Sequence, residues 1–90
     1  MNYQLSQQFR RKYKKYDVRV KKAIGEALNK FSKNPFDPSL DNHALKKELK
    51  GLRSIDVTTD YRAIYEPIDE NGDFFAYFDD IGTHKELFGS

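Results

Sequence analysis

Five residues of this chain have side chains suited to proton transfer and anion handling: His43, Asp56, Asp60, Arg62 and His84. Histidine titrates near neutrality and can both take and give a proton. Arginine stays cationic and can hold a phosphate oxygen with two N–H groups. Cleavage of RNA needs these parts. A base removes the ribose 2′-OH proton, a cation stabilises charge growing on the phosphate, and an acid protonates the leaving 5′-oxygen. That route requires no metal and no cofactor, because the nucleophile lies within the substrate.

Each residue also has an ordinary structural role open to it. His84 can be a surface histidine beside a C-terminal turn. His43 can be a loop histidine hydrogen-bonded to backbone, the commoner case for such a residue alone. Arg62 can pair with a carboxylate such as Asp60, the usual fate of a strand arginine. Two histidines 41 positions apart do not make a metal site by spacing, and an acidic strand face is commoner than a metal cage for Asp56 and Asp60. There is no Gly-rich phosphate loop and no nucleophile elbow. Tyr61, Tyr65 and Phe78 read as core, whereas Phe88 either stacks on a base or staples the tail.

The elements that must position these groups fit one small domain spanning residues 1–90. A chain of this size buries roughly 60–65% of its unfolded surface. Aromatics make up 14% of the residues, so few side chains can bury much area and the chain reads as folded. Met1, Tyr3 and Leu5 alternate as in a short strand. Ser6 can cap a helix near 7–16 carrying Phe9, Tyr13 and Tyr16. Asp17 can cap a second, in which Val20, Ile24, Ala27, Leu28 and Phe31 form one apolar stripe ended by Asn34-Pro35. Residues 34–43 form a loop that Phe36 and Leu40 are expected to pin to the core. Alternation then predicts strands near 44–49, 52–58, 61–68 and 74–81, with Gly51 and Asn71-Gly72 as turns. Thr83 and Glu86 form a capping box that opens a short helical turn at His84. Helices first and strands afterwards predict an α+β fold, a helical hairpin on one face of a four- to five-stranded antiparallel sheet.

Charge is unevenly spread. Residues 1–33 carry ten Lys/Arg against two acids, a balance of +8; residues 34–90 carry six against twelve, a balance of −6. Arg10, Arg11, Lys12, Lys14, Lys15, Arg19, Lys21 and Lys22 form a basic block interrupted only by Asp17 among charged residues. A solvated helix face is the usual meaning of a charge run, but this density favours a surface for RNA or an acidic protein segment. The chain has no cysteine, so it has no disulfide framework, and an intracellular, cytoplasmic home is favoured. Its apolar runs are too short for a membrane helix, and its first residues lack the apolar stretch of a signal peptide.

Several stretches resemble the RelE/ParE superfamily of bacterial toxins. Leu49-Lys50-Gly51-Leu52-Arg53-Ser54 is similar to that family's Gly-x-Arg turn, and Asp60-Tyr61-Arg62-Ala63-Ile64-Tyr65 to its Tyr-Arg-x-x-Tyr strand. The tail Gly82-Thr83-His84-Lys85-Glu86-Leu87-Phe88 closely resembles the Gly-Thr-His-x-x-Leu-Phe ending of the YafQ-like branch. Asp41-Asn42-His43-Ala44-Leu45 resembles that branch's Asp-His-x-Leu lead into the sheet. The likeness covers nearly the whole chain, basic hairpin included.

The resemblance implies a type II toxin of a toxin–antitoxin pair. Such a toxin enters the ribosomal A site and cuts mRNA there without metal. It implies His84 and His43 as catalytic histidines and Asp60 as an acidic residue before the central strand. Arg62 would be a phosphate-contacting arginine as in the RelE branch, where YafQ-like chains can hold an apolar residue. Phe88, Arg53 and Asp56 are the implied substrate-binding residues; Asp56 falls where the YafQ branch can hold another histidine. The implied partners are a cognate antitoxin, the ribosome with its mRNA, and operator DNA reached only through the antitoxin. Two further readings are a ParE-like inhibitor of DNA gyrase and a catalytically degenerate member retained as an antitoxin-bound corepressor.

Overall fold

The computed structural model describes residues 1–89. Strand β1 (Asn2–Leu5) leads into helices α1 (Gln7–Lys15) and α2 (Val18–Lys33). Both helices start where a side chain satisfies an amide that has no partner inside the helix. Ser6 Oγ accepts from Phe9 N at 3.0 Å, and Asp17 Oδ1 accepts from Val20 N at 3.0 Å. α2 stops at Asn34, whose extended backbone suits the residue before Pro35.

Four more strands follow: β2 (His43–Ala44), β3 (Arg53–Asp56), β4 (Tyr61–Glu70) and β5 (Asp73–Thr83), then the short helix α3 (His84–Phe88). The sheet order is β1-β5-β4-β3-β2, so β4 lies at the centre. The β4–β5 hairpin turns at Asn71-Gly72, both with positive φ, as the sequence predicts. Its register slips between Ile64, opposite Asp80, and Tyr65, opposite Phe78, leaving Asp79 as the extra residue of a bulge. The Asp79 carbonyl accepts a 2.7 Å hydrogen bond from the Ser6 hydroxyl, so the residue capping α1 also ties it to this bulge.

Helices and sheet share one core. Phe9, Ile24, Ala27, Leu28 and Phe31 pack on Ile55, Ala63, Tyr65, Ala76, Phe78 and Ile81. The rings of Phe31 and Phe78 meet edge-on at 5.1 Å, and those of Phe31 and Tyr65 at 4.9 Å. Each large side chain so buried contributes roughly 1.5–3 kcal/mol by removal of apolar area from water.

Three expectations are corrected. The sheet is mostly, not wholly, antiparallel: β1 runs parallel to β5, with Asn2 opposite Phe75 and Leu5 opposite Phe78. The chain leaves β1 through the helices and meets it again only after the whole meander, which makes a parallel neighbour possible. The strand expected at 44–49 is only His43–Ala44, followed by a 3₁₀ turn at Lys47–Leu49. Leu45 N donates to Leu52 O at 2.9 Å, and this bond closes a loop in which Gly51 takes φ 97°. The alternating leucines belong to that loop rather than to a ladder. Finally, Leu40 pins the 34–43 loop, 2% exposed, but Phe36 is 61% exposed and carries the Arg53 guanidinium over its ring at 5.4 Å.

Candidate functional site

Side chains alternate across each strand, so the pairing register sorts them into two faces. Ile55, Ala63 and Ile81 lie opposite one another on the helix-covered face. Their neighbours fall on the other face: His43 opposite Ser54, Ser54 opposite Ile64, Asp56 opposite Arg62, and Arg62 opposite Gly82. The chemically able residues of three strands therefore share the face away from α1 and α2.

α3 brings the tail to that face. Thr83 Oγ1 accepts from Glu86 N at 3.1 Å while Glu86 Oε1 accepts from Thr83 N at 2.8 Å, the reciprocal box read from the sequence. These bonds hold the Glu86 carboxyl below its usual range. A Cβ at Gly82 would stand 3.2 Å from Glu86 Oε1 and 3.5 Å from Leu87 Cδ2, so a bare backbone lets the helix fold this closely. The His84 amide, first of the helix, donates to the Asp60 carbonyl at 3.2 Å.

The result is a cleft of about 310 Å³ lined by His43, Arg62, His84 and Phe88, with Asp41, Leu45 and Ser54 completing its walls. His84 and Phe88, one helical turn apart, bring their rings to 4.7 Å. His43 Nδ1 lies 2.8 Å from the Asp41 carbonyl. A carbonyl only accepts, so Nδ1 carries the hydrogen and Nε2 of the neutral ring carries the lone pair. The backbone-bonded loop histidine and the cleft histidine are thus the same residue.

Arg62 pairs not with Asp60 but with Asp56, Nε to Oδ1 at 2.9 Å. Asp56 Oδ1 is buried, and the contact is ionic without the alignment of a good hydrogen bond. Burial raises the Asp56 carboxyl above its usual range, and the nearby Arg62 charge offsets this only in part. Asp60 itself is exposed and does not line the cleft; it meets the site through its main chain. Arg53 stands on the other face of β3, with Nε donating to Asn42 Oδ1 at 2.8 Å, and is not brought into the cleft. Ser54, fully buried with a hydroxyl that has no partner among the described residues, lies on the cleft wall, and no motif in the sequence marks it. Its alternation with Arg53 and Ile55 is the signal that places it on the Asp56 face.

The basic hairpin lies behind the sheet rather than beside the cleft on the same face. Lys12 is engaged in the fold, 2.6 Å from Asp80 Oδ1. Arg10 Nε donates to the Leu5 carbonyl at 3.3 Å, and Lys21 lies over the Tyr13 ring at 5.7 Å. Arg11, Lys14, Lys15, Arg19 and Lys22 are exposed and make no ion pair among the described residues. Tyr16 anchors the end of α1, its ring 5.3 Å from that of Tyr61; burial pushes its hydroxyl up to about 12. A larger groove of about 490 Å³ runs between β1, α1 and α2, but its walls hold no histidine or carboxylate for proton transfer. No helix among the described residues is long and apolar enough to cross a membrane.

Residues 1–89 match the family described as "Bacterial toxin of type II toxin-antitoxin system, YafQ". The chain belongs to the YafQ toxin family. YafQ from E. coli strain BL21(DE3) is 25% identical, with 98% of each chain covered and a TM-score of 0.68. The toxin of the E. coli DinJ–YafQ complex is 26% identical over 98% of each chain, TM-score 0.65. A YoeB/ParE toxin from Agrobacterium tumefaciens shares the fold at 17% identity, TM-score 0.74, covering 93% of this chain and 99% of its own. No curated protein matches.

Proposed function

We propose that this YafQ-family toxin is a ribosome-dependent endoribonuclease that cuts mRNA by internal attack of the 2′-hydroxyl. The observation that carries the reading is the convergence of His43, Arg62, His84 and Phe88 on one cleft. Two imidazoles lining one cleft suit a reaction in which one proton leaves the 2′-oxygen and another reaches the 5′-oxygen. His84 takes the first. His43, protonated and with its Nδ1–H held by the Asp41 carbonyl, gives its Nε2 proton to the leaving 5′-oxygen. Arg62 supplies the positive charge beside the phosphate, and Phe88 offers a ring face to a base. Asp56 tempers Arg62, and Asp60 contributes through its carbonyl rather than its carboxylate.

The ribosome would supply alignment of the 2′-oxygen with phosphorus, a large part of the barrier. The exposed cations Arg11, Lys14, Lys15, Arg19 and Lys22 suit rRNA or an acidic segment of an antitoxin, and the E. coli relative YafQ is known in complex with DinJ. Operator DNA would be reached only through that antitoxin, and the site of action is the cytoplasm, where ribosomes are.

The test is His84→Ala in a translation extract with end mapping of the mRNA. Cleavage is expected to fall by about 10²–10⁴-fold, the usual worth of an acid–base group. Wild-type products should carry a 2′,3′-cyclic phosphate on the upstream fragment. Undiminished cleavage by the variant removes His84 from the mechanism. Gyrase inhibition in a supercoiling assay without mRNA cleavage would favour the ParE-like reading instead.

A further inference from the structure

Arg62 is held on several sides by its own neighbourhood. Its Nη1 donates to the carbonyls of Thr58 and Thr59 at 2.9 Å each and to that of Tyr61 at 3.2 Å, while Nε faces Asp56 at 2.9 Å. A guanidinium has five N–H groups in a fixed fork. Both hydrogens of Nη1 are taken by carbonyls and Nε lies against Asp56 in an ionic contact, so Nη2 is the part of the fork left for the cleft. A cation serving solely as a phosphate partner has no need of three carbonyls.

Those carbonyls belong to one turn, the β3–β4 connection. Within it Val57 N and Thr58 N donate to Tyr61 O at 2.9 and 3.2 Å, and Thr58 Oγ1 accepts from Asp60 N and Tyr61 N. Between the clamped carbonyls of Thr59 and Tyr61 sits Asp60, whose own carbonyl receives the His84 amide at 3.2 Å. The chain of contact is short: guanidinium, turn, carbonyl, amide of the cleft histidine.

We propose that Arg62 is a positioning residue for His84, bracing the 57–61 turn so that the Asp60 carbonyl fixes the start of α3. The inference rests on the assignment of His84 to proton transfer. Lysine cannot replace the brace. Its ammonium keeps the charge but has no planar fork to span Asp56 and three carbonyls at once.

The experiment uses the whole toxin with Arg62→Lys, Arg62→Met and, as a control, Asp56→Asn, which leaves the carbonyl clamp in place. Hydrogen exchange of the His84 amide is measured by NMR, and kcat and KM for mRNA cleavage on ribosomes are measured separately. In both Arg62 variants the His84 amide is expected to exchange several-fold faster than in wild type. In Arg62→Lys, kcat should fall between about tenfold and 10²-fold, the range of a slightly misplaced group, with KM held. Asp56→Asn should leave the amide protected. Unchanged His84 exchange in Arg62→Met overturns the proposal. So does a rise in KM alone in Arg62→Lys with His84 unmoved, which would make Arg62 a phosphate contact and nothing more. Should wild type not cleave at all, the nuclease reading fails, while the exchange comparison still decides whether Arg62 holds His84.

Discussion

Replacing Thr83 by valine isolates how α3 is held. Valine keeps the branched shape and suits the extended backbone of the cap, φ −73°, ψ 160°. It removes Oγ1, the acceptor for Glu86 N at 3.1 Å, and leaves the reverse bond from Thr83 N to Glu86 Oε1 at 2.8 Å. Loss of such a cap costs about 1 kcal/mol, within a range of roughly 0.5–2. At 1.4 kcal/mol per factor of ten, that is about fivefold in the docking equilibrium of α3, and about 30-fold at the upper limit. The five-residue helix has no fully buried side chain, so the effect is local and the global Tm should shift little. The Glu86 amide is expected to exchange about fivefold faster, and mRNA cleavage to fall by at most that factor. Unchanged exchange at Glu86 would refute the capping argument. A loss of cleavage well beyond about 30-fold would refute the view that Thr83 acts only through the helix.

Two further outcomes follow from the charges. Because burial raises the Asp56 carboxyl, its ionised form opposes folding at pH values above its folded-state range, and that cost vanishes once the group is protonated. Asp56→Asn should therefore be at least as stable as wild type at pH 7 in urea unfolding, with the gap narrowing as pH falls through the carboxylate range; a gap that widens towards acid would contradict the assignment. Replacing Lys14, Lys15 and Arg19 together by glutamine should leave the urea midpoint nearly unchanged, since these side chains are exposed and unpaired among the described residues. If the hairpin grips RNA, the variant's binding to ribosomes should have a shallower salt dependence, by roughly two to three in slope, and an unaltered slope would place the contact elsewhere.

Much of this protein was legible in the chain itself. Caps at Ser6, Asp17 and Thr83, the apolar stripe of α2 and the turn at Asn71-Gly72 are local events within a few residues, and local sequence specifies them. The motifs around His43, Arg62 and His84 likewise marked the residues that meet in one cleft. Period-two alternation was less dependable, because loop leucines such as Leu45 and Leu49 imitate a strand until the pairing of Leu45 with Leu52 is known.

Facing and partnership were decided by the fold. Register put Ser54 on the cleft wall and Arg53 on the opposite face, although they are neighbours in sequence. The β3–β4 register gave Arg62 to Asp56, the 57–61 turn gave it three carbonyls, and Asp60 was left to act through its main chain. Sequence names the side chains available for chemistry and the short elements that carry them. Which of them meet depends on hydrogen-bond register between strands far apart in the chain, and a one-residue difference there exchanges the two faces of a sheet.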